Sequence, residues 1–213
     1  MDHERSVLTT REELRQAELE LMQHTERVAE MRRSLTPEAI DDYVFEDAKG
    51  SVRLSELFTA PDRSLIVYHF MFGKNQTEPC PLCTMWIDGY NGIAHHVRQR
   101  ADFVVLAAAP IDEIERWAKE RGWDNLRLVS AGDSTFKRDF GSETDDGEQI
   151  EHVSVFKKSR DGALLHVYTK GAEMAPGVRE RGIDLLSPVW HLFDLTPEGR
   201  GDWYPSFDYA RGV

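Results

Sequence analysis

Cys80-Pro81-Leu82-Cys83 contains both cysteines of this 213-residue chain, and it falls where an apolar run from Ser64 to Phe72 gives way to a helix-compatible segment. A thiol becomes a nucleophile when ionised, and the unpaired N–H groups of a helix's first turn favour a thiolate placed beside them. Cys80 occupies that seat. Pro81 suits the first helical position, because it has no N–H to leave unpaired and its φ is already near the helical value. Cys83 then lies one turn on, facing Cys80 at disulfide distance. The pair reads as redox chemistry that needs neither a cofactor nor a resident metal.

The rest of the chain limits what kind of protein carries this pair. At 40% hydrophobic and 10% aromatic content, 213 residues suffice for one sizeable core or a core with an appendage. A net charge of -12 and a pI near 5.1 argue against nucleic-acid and anionic-membrane surfaces, which need clustered Lys and Arg. The start, Met1-Asp2-His3-Glu4-Arg5, leads into acidic helical sequence without an apolar signal core. No later stretch approaches about 20 apolar residues. The expected compartment is the cytoplasm, where paired cysteines are catalytic, redox-sensing or metal-binding more often than structural.

Residues 11 to 35 predict one long helix, opened by Thr10 with Glu13 in capping-box spacing. Leu14, Leu21, Val28 and Leu35 repeat every seven residues, with Ala17, His24 and Met31 between them. This seam fits a homodimer contact or an amphipathic helix lying on its own domain, and three heptads leave both readings open. Thr36-Pro37 stops the helix, so residues 1–36 form an N-terminal helical extension and residues 37–213 the main domain.

That domain opens with a small hairpin around Tyr43-Val44-Phe45, Lys49-Gly50, Val52 and Leu54. Leu65 to Phe72 and Phe103 to Ala109 are nearly all apolar, as parallel strands covered on both faces must be. Between them a helix runs from Pro81 to about Gln99, weakened by Gly89 and Gly92. A second helix follows Pro110 and ends at Gly122. Leu126 to Val129 reads as a strand, Phe136 to Phe140 as a short helix closed by Gly141, and Ser142 to Glu151 as an exposed loop. Val153 to Phe156 and Leu164 to Tyr168, joined through Arg160-Asp161-Gly162, make a β-hairpin. A last helix spans Ile183 to Phe193, disturbed by Pro188, before an aromatic tail. Alternating strands and helices imply right-handed crossovers and a three-layer α/β domain.

This order resembles the thioredoxin fold: a strand ending in Cys-x-x-Cys at a helix start, a βαβ unit, then a hairpin and a helix. The longer layout is similar to domain-of-unknown-function family 899, some of whose members are described as dithiol-disulfide oxidoreductases. The matching blocks are Tyr43-Val44-Phe45 with Leu54 to Phe58, Phe72-Gly73 with Cys80-Pro81-Leu82-Cys83, Trp86 and Asn91-Gly92, Ser154-Val155-Phe156, Arg181-Gly182-Ile183-Asp184-Leu185, and Asp194-Leu195-Thr196-Pro197-Glu198-Gly199-Arg200. The resemblance implies a thioredoxin-like three-layer fold with a central mixed sheet, peroxiredoxin-like elaborations and a long N-terminal helix. Two departures from thioredoxin stand out. Its cis-proline position falls at about Glu151, followed by His152, with no proline present. The loop Lys74 to Pro79 is also longer and closer to peroxiredoxins, and Thr77-Glu78-Pro79-Cys80 matches the Thr-x-x-Cys half of a peroxiredoxin motif, with Gly73 where its proline stands.

The leading expectation is thiol–disulfide exchange with protein or low-molecular-weight thiols and disulfides. Cys80 attacks and Cys83 resolves. A peroxiredoxin-like thiol peroxidase uses the same pair through a Cys80 sulfenic acid. A metal site would add His95-His96 to the cysteines, although Gln99 and Arg100 stand where the second histidine of zinc-finger spacing belongs. A redox-inert binding module that keeps the fold is the fourth reading. Around the pair, Pro81, His69, Thr77, Trp86, Glu151 and His152 are the candidate supporting residues. His69 reads as a ligand-edge residue or a packed core histidine, His152 as a thiolate partner or an exposed loop residue, and Trp86 as core under the active-site helix. Trp190, His191, Trp203 and Tyr204 either wall a cleft or cover the core.

Overall fold

The computed structural model describes residues 10–172, 186–199 and 201–209. It divides at Thr36 into two units, residues 1–36 and 37–213. In the first, α1 (Arg11–Arg33) begins at a capping box in which Thr10 Oγ1 accepts from Glu13 N–H and the Glu13 carboxylate accepts from Thr10 N–H. Acidic Glu12 and Glu13 at one end and basic Arg32 and Arg33 at the other complement the helix dipole. No residue of α1 is buried.

The second unit carries an eight-stranded mixed sheet among the described residues. In chain order its elements are β1 (Glu38–Ala39), β2 (Val44–Asp47), β3 (Gly50–Arg53), a 3-10 turn (Leu54–Leu57), β4 (Ser64–His69), α2 (Pro81–Val97), β5 (Ala101–Ala107), α3 (Ile111–Arg121), β6 (Arg127–Ser130), α4 (Phe136–Asp139), β7 (His152–Lys158), β8 (Leu164–Gly171) and α5 (Pro188–Phe193). The sheet order is β1-β8-β7-β4-β5-β6-β2-β3. β4 pairs parallel to β5 and antiparallel to β7, so the strand that delivers the cysteines is flanked on both sides.

Strand alternation divides the core into two clusters. Tyr68, Val105 and Ala107 face α2 and α3, with Trp86, Ile87, Tyr90, Ile114 and Trp117 above them. Leu65, Val67, Val104, Leu106 and Phe156 point the other way, toward the 3-10 turn and α4, onto Phe45, Leu54, Leu57 and Phe136. Covering on both faces explains why β4 and β5 read as unbroken apolar runs.

Several local expectations change in detail. α2 is continuous through Gly89 and Gly92, ending at Val97. The segment 142–151 is not uniformly exposed, because Ser142 and Gln149 are buried. Pro188 does not disturb a helix: it opens α5 at the first helical position, with the Ser187 hydroxyl accepting from the Val189 N–H. The earlier part of that expected helix, 183–185, and the block 181–185 lie outside the described residues.

Candidate active site

The site is assembled where the chain leaves β4. Phe70 N–H donates to Leu106 O at 2.8 Å, continuing the β4–β5 edge for one more residue. The chain then loops out through Gly73, whose N–H donates to Gln76 Oε1 at 2.6 Å, and returns so that Cys80 N–H donates to Met71 O at 3.0 Å. Cys80 has extended backbone angles (φ -67°, ψ 125°) and is the N-cap of α2, with Pro81 in its first turn. Its carbonyl accepts both Thr84 N–H and Thr84 Oγ1 at 3.0 Å, which anchors the start of the helix. Cys80 is half-buried, whereas Cys83 is fully buried beneath it.

Burial and hydrogen bonding separate the two thiols. The Cys80 thiol is lowered to about 7, chiefly because the Cys83 thiol donates to it, with help from the N–H groups of Cys83 and Leu82; burial and the Glu151 carboxylate oppose the shift. Cys83 is pushed up, first by burial and then by the neighbouring Cys80 sulfur, with the Tyr68 hydroxyl and Met71 N–H acting in the opposite sense. One sulfur is therefore poised to be charged near neutrality while the other holds its proton. This is the asymmetry that an attacking and a resolving thiol need.

The other sequence candidates divide between the two faces of the sheet. Glu151 is close enough to Cys80 to oppose its ionisation. His152, one residue on, faces away from α2, with its ring centroid 6.4 Å from that of His69 and its Nε2 over Gly171, where a Cβ would lie 2.7 Å from it. The structure does not bring it to Cys80, because neighbouring strand residues point to opposite faces. His69 is fully buried on that same far side. Its Nδ1 meets Ser142 Oγ at 2.6 Å and its Nε2 meets Ser154 Oγ at 2.8 Å, while the ring stacks on Phe136. Ser142 also donates to Lys137 O at 3.0 Å, so a neutral imidazole satisfies both neighbours. Burial, then the nearby Lys137, holds His69 well below its ordinary value. Trp86 is buried and packs edge-on against Tyr68 and Trp190. Pro81 is half-buried in the first turn, and Thr77 is exposed in the loop before Cys80. His95 and His96 are exposed at the far end of the 17-residue α2, roughly 18 Å from Cys83 at the helical rise. Among the described residues no group of three or more His, Cys, Asp or Glu could hold a metal ion.

Residues 2–211 match the model of a family described as "Bacterial protein of unknown function (DUF899)". The chain belongs to this family. No curated protein matches it. Among solved structures, the peroxidoxin BcpB from Mycobacterium tuberculosis is similar with a TM-score of 0.50 and 18% identity, over 71% of this chain and 93% of that one. A cysteine-to-serine mutant of PrxQ from Xylella fastidiosa is similar with a TM-score of 0.50 and 12% identity, over 72% and 93% of the two chains. These likenesses establish a thioredoxin-like fold of the peroxiredoxin kind. No described helix is long and apolar enough to cross a membrane.

Three residues beside the cysteines went unread in the sequence. Tyr68 is fully buried and its hydroxyl interacts with Cys83. Met71 contacts both cysteines through its backbone. Lys137 is 1% exposed, with Nζ donating to Phe70 O at 3.3 Å. Tyr68 could have been found, since it shares β4 with the run leading to Cys80. Nothing in Phe136-Lys137-Arg138-Asp139 marks which charge turns inward.

Proposed function

We propose that the protein is a thiol–disulfide oxidoreductase acting on protein or low-molecular-weight disulfides. The observation that carries this reading is the contrast between a half-buried Cys80 at a helix N-terminus, lowered to about 7, and a fully buried Cys83 that donates to it. Cys80 thiolate attacks a substrate disulfide, forms the Cys80–substrate bond and expels one substrate thiolate. Cys83 then attacks Cys80 Sγ, closing the Cys80–Cys83 disulfide and releasing the second substrate thiol. Two protein thiols are oxidised and one substrate disulfide is reduced; the reverse sequence donates a disulfide. The compartment that suits this cycle is the reducing cytoplasm.

The test is incubation of the reduced protein with glutathione disulfide, followed by mass analysis without reductant. Formation of the Cys80–Cys83 disulfide, a stable glutathione adduct in Cys83→Ser and none in Cys80→Ser support exchange. A parallel sample receives hydrogen peroxide. Rapid oxidation by peroxide alone, with glutathione disulfide inert, replaces the reading with a thiol peroxidase. A native pair that neither oxidant closes replaces it with a redox-inert module.

A further inference from the structure

α1 is 23 residues long, yet none of them is buried. A helix in water draws most of its stability from packing an apolar face, so an apolar face left open calls for a partner. Residues three and four apart fall on one side of a helix, which places Leu14, Ala17, Leu21, His24, Val28 and Met31 in a single seam. Of these six only Val28 is even half-buried. Leu14 is 53% exposed, and Leu21 and Met31 are each 66% exposed. The capping box and the Arg15–Glu12 ion pair at 2.7 Å hold the helix start without using the seam.

The order of residues along the seam selects its occupant. Laid antiparallel on a second copy, Leu14 meets Met31, Ala17 meets Val28 and Leu21 meets His24, and each contact occurs twice. Small side chains then face larger ones. Laid parallel, each residue would meet its own copy, putting Ala17 against Ala17 and His24 against His24 in the middle of the seam.

The flanking charges choose the same direction. In the parallel arrangement Glu13 would face Glu18 and Arg27 would face Arg32, two like-charged contacts with no opposite-charged one to offset them. In the antiparallel arrangement Glu20 faces Arg27 of the second copy, Glu13 faces Ser34 and Glu18 faces Thr25. Arg27 already stands beside the seam, with Nη2 at 3.1 Å from His24 Nδ1 of its own chain. The like-charged contact, Arg11 with Arg32, falls at the ends, where water and salt screen it. There the acidic start of one helix, Glu12 and Glu13, also comes beside the basic end of the other, Arg32 and Arg33, and the two helix dipoles oppose.

We propose that α1 is a homodimerisation helix, its seam from Leu14 to Met31 docking antiparallel on the same seam of a second copy. The inference is independent of the chemistry at Cys80.

The test is sedimentation equilibrium of the intact protein from low to high micromolar concentration, under reducing conditions so that no intermolecular disulfide contributes. The mass is expected to pass from 24.4 kDa toward twice that value. Leu14→Gln combined with Leu21→Gln puts good helix formers in the same places and removes four leucines from each dimer, so association should weaken by about a hundredfold or more. Direction is read from charge. Arg27→Glu sets a carboxylate against Glu20 of the second copy and should weaken the antiparallel dimer about fivefold at low salt, and adding Glu20→Arg should restore it. In a parallel dimer Arg27→Glu would instead relieve the contact with Arg32 and tighten association. A mass that stays at 24.4 kDa throughout overturns the proposal, because the seam then does not self-associate. A dimer that survives the paired leucine changes overturns it in favour of another surface. Unchanged or tighter association of Arg27→Glu overturns the antiparallel docking.

Discussion

On the face of β4 and β7 that meets α2, a half-buried Cys80 and a buried Cys83 sit among aromatic rings, and Glu151 brings a carboxylate to the rim. On the face that meets α4, His69, Ser142 and Ser154 are all buried and satisfy one another. Both faces bury groups that could do chemistry, yet only one leaves a nucleophile reachable. The difference lies in how partners are arranged. The histidine has a hydrogen-bond neighbour at each ring nitrogen and a phenyl ring stacked on it, so it is finished as a structural group. The Cys80 sulfur is held by groups that favour its charged form and keeps part of its surface free.

The sharpest way to break this comparison is to exchange stability for reactivity. His69→Ala should lower unfolding free energy by about 3 kcal/mol, since it leaves a cavity under Phe136 and takes one hydrogen-bond partner each from the buried Ser142 and Ser154 hydroxyls, which keep Lys137 O and Thr169 Oγ1. Urea unfolding followed by fluorescence would show this, and Cys80 alkylation in the folded variant should keep its pH midpoint. Cys80→Ser should do the opposite: its unfolding free energy should stay within about 1 kcal/mol of the parent while disulfide exchange vanishes. If His69→Ala folded as stably as the parent but moved the alkylation midpoint, His69 would belong to the redox site after all.

Acid should separate the same two regions. His69, His152 and His166 are all held below their ordinary values, burial being the largest cause of each. The unfolded chain therefore binds more protons than the folded one once pH falls below about 6.5, and the stability these neutral rings confer is present above that value and lost beneath it. Thermal midpoints should fall between pH 7 and pH 5. His69, fully buried, should contribute up to about 1.4 kcal/mol per pH unit toward the bottom of that range. His69→Gln should make the decline shallower; equal slopes would remove His69 from the effect.

How much of this was legible from residues alone depends on how tightly local rules bind each position. The runs at β4 and β5 were legible because a strand covered on both faces must be apolar throughout. α3 was bounded by Pro110 and by Gly122, whose φ of 70° is the left-handed conformation that ends helices. The turn at the cysteines was legible for a related reason: a proline between two cysteines fixes which of them caps the helix. Pro188 misled because a proline is compatible with a helix start or a helix break, and the deciding cap, Ser187, acts only once the fold has set its angles. The faces of Glu151 and His152 were beyond reach, since a register change of one residue exchanges them. Lys137 was the least legible of all. Its inward turn depends on a carbonyl 67 residues away in the chain, at the end of β4.

The two thiols invite a finer test within the α2 face. Alkylation with iodoacetamide and peptide mapping should label Cys80 first, with a rate that rises through a midpoint near pH 7, whereas buried Cys83 should react only slowly. Preferential labelling of Cys83 would exchange the roles assigned to the pair.

The smallest expected effect concerns the rim. Glu151 is the carboxylate that works against the Cys80 thiolate, and it stands where strand alternation turns β7 toward α2. Glu151→Gln removes the charge while keeping shape, so Cys80 should ionise more readily. A half-exposed carboxylate is screened by water and salt, and the midpoint should therefore fall by less than about one unit. Greater ionisation does not imply faster exchange at every pH. Below the midpoint the larger thiolate fraction should win; well above it, where nearly all of the thiol is already charged, the variant's less basic sulfur should be slightly slower. Rates of reaction with glutathione disulfide in parent and variant should consequently cross as pH rises. A uniform gain across the range would mean that Glu151 blocks access to Cys80 instead of opposing its charge, and parallel unchanged profiles would leave it without influence on the site.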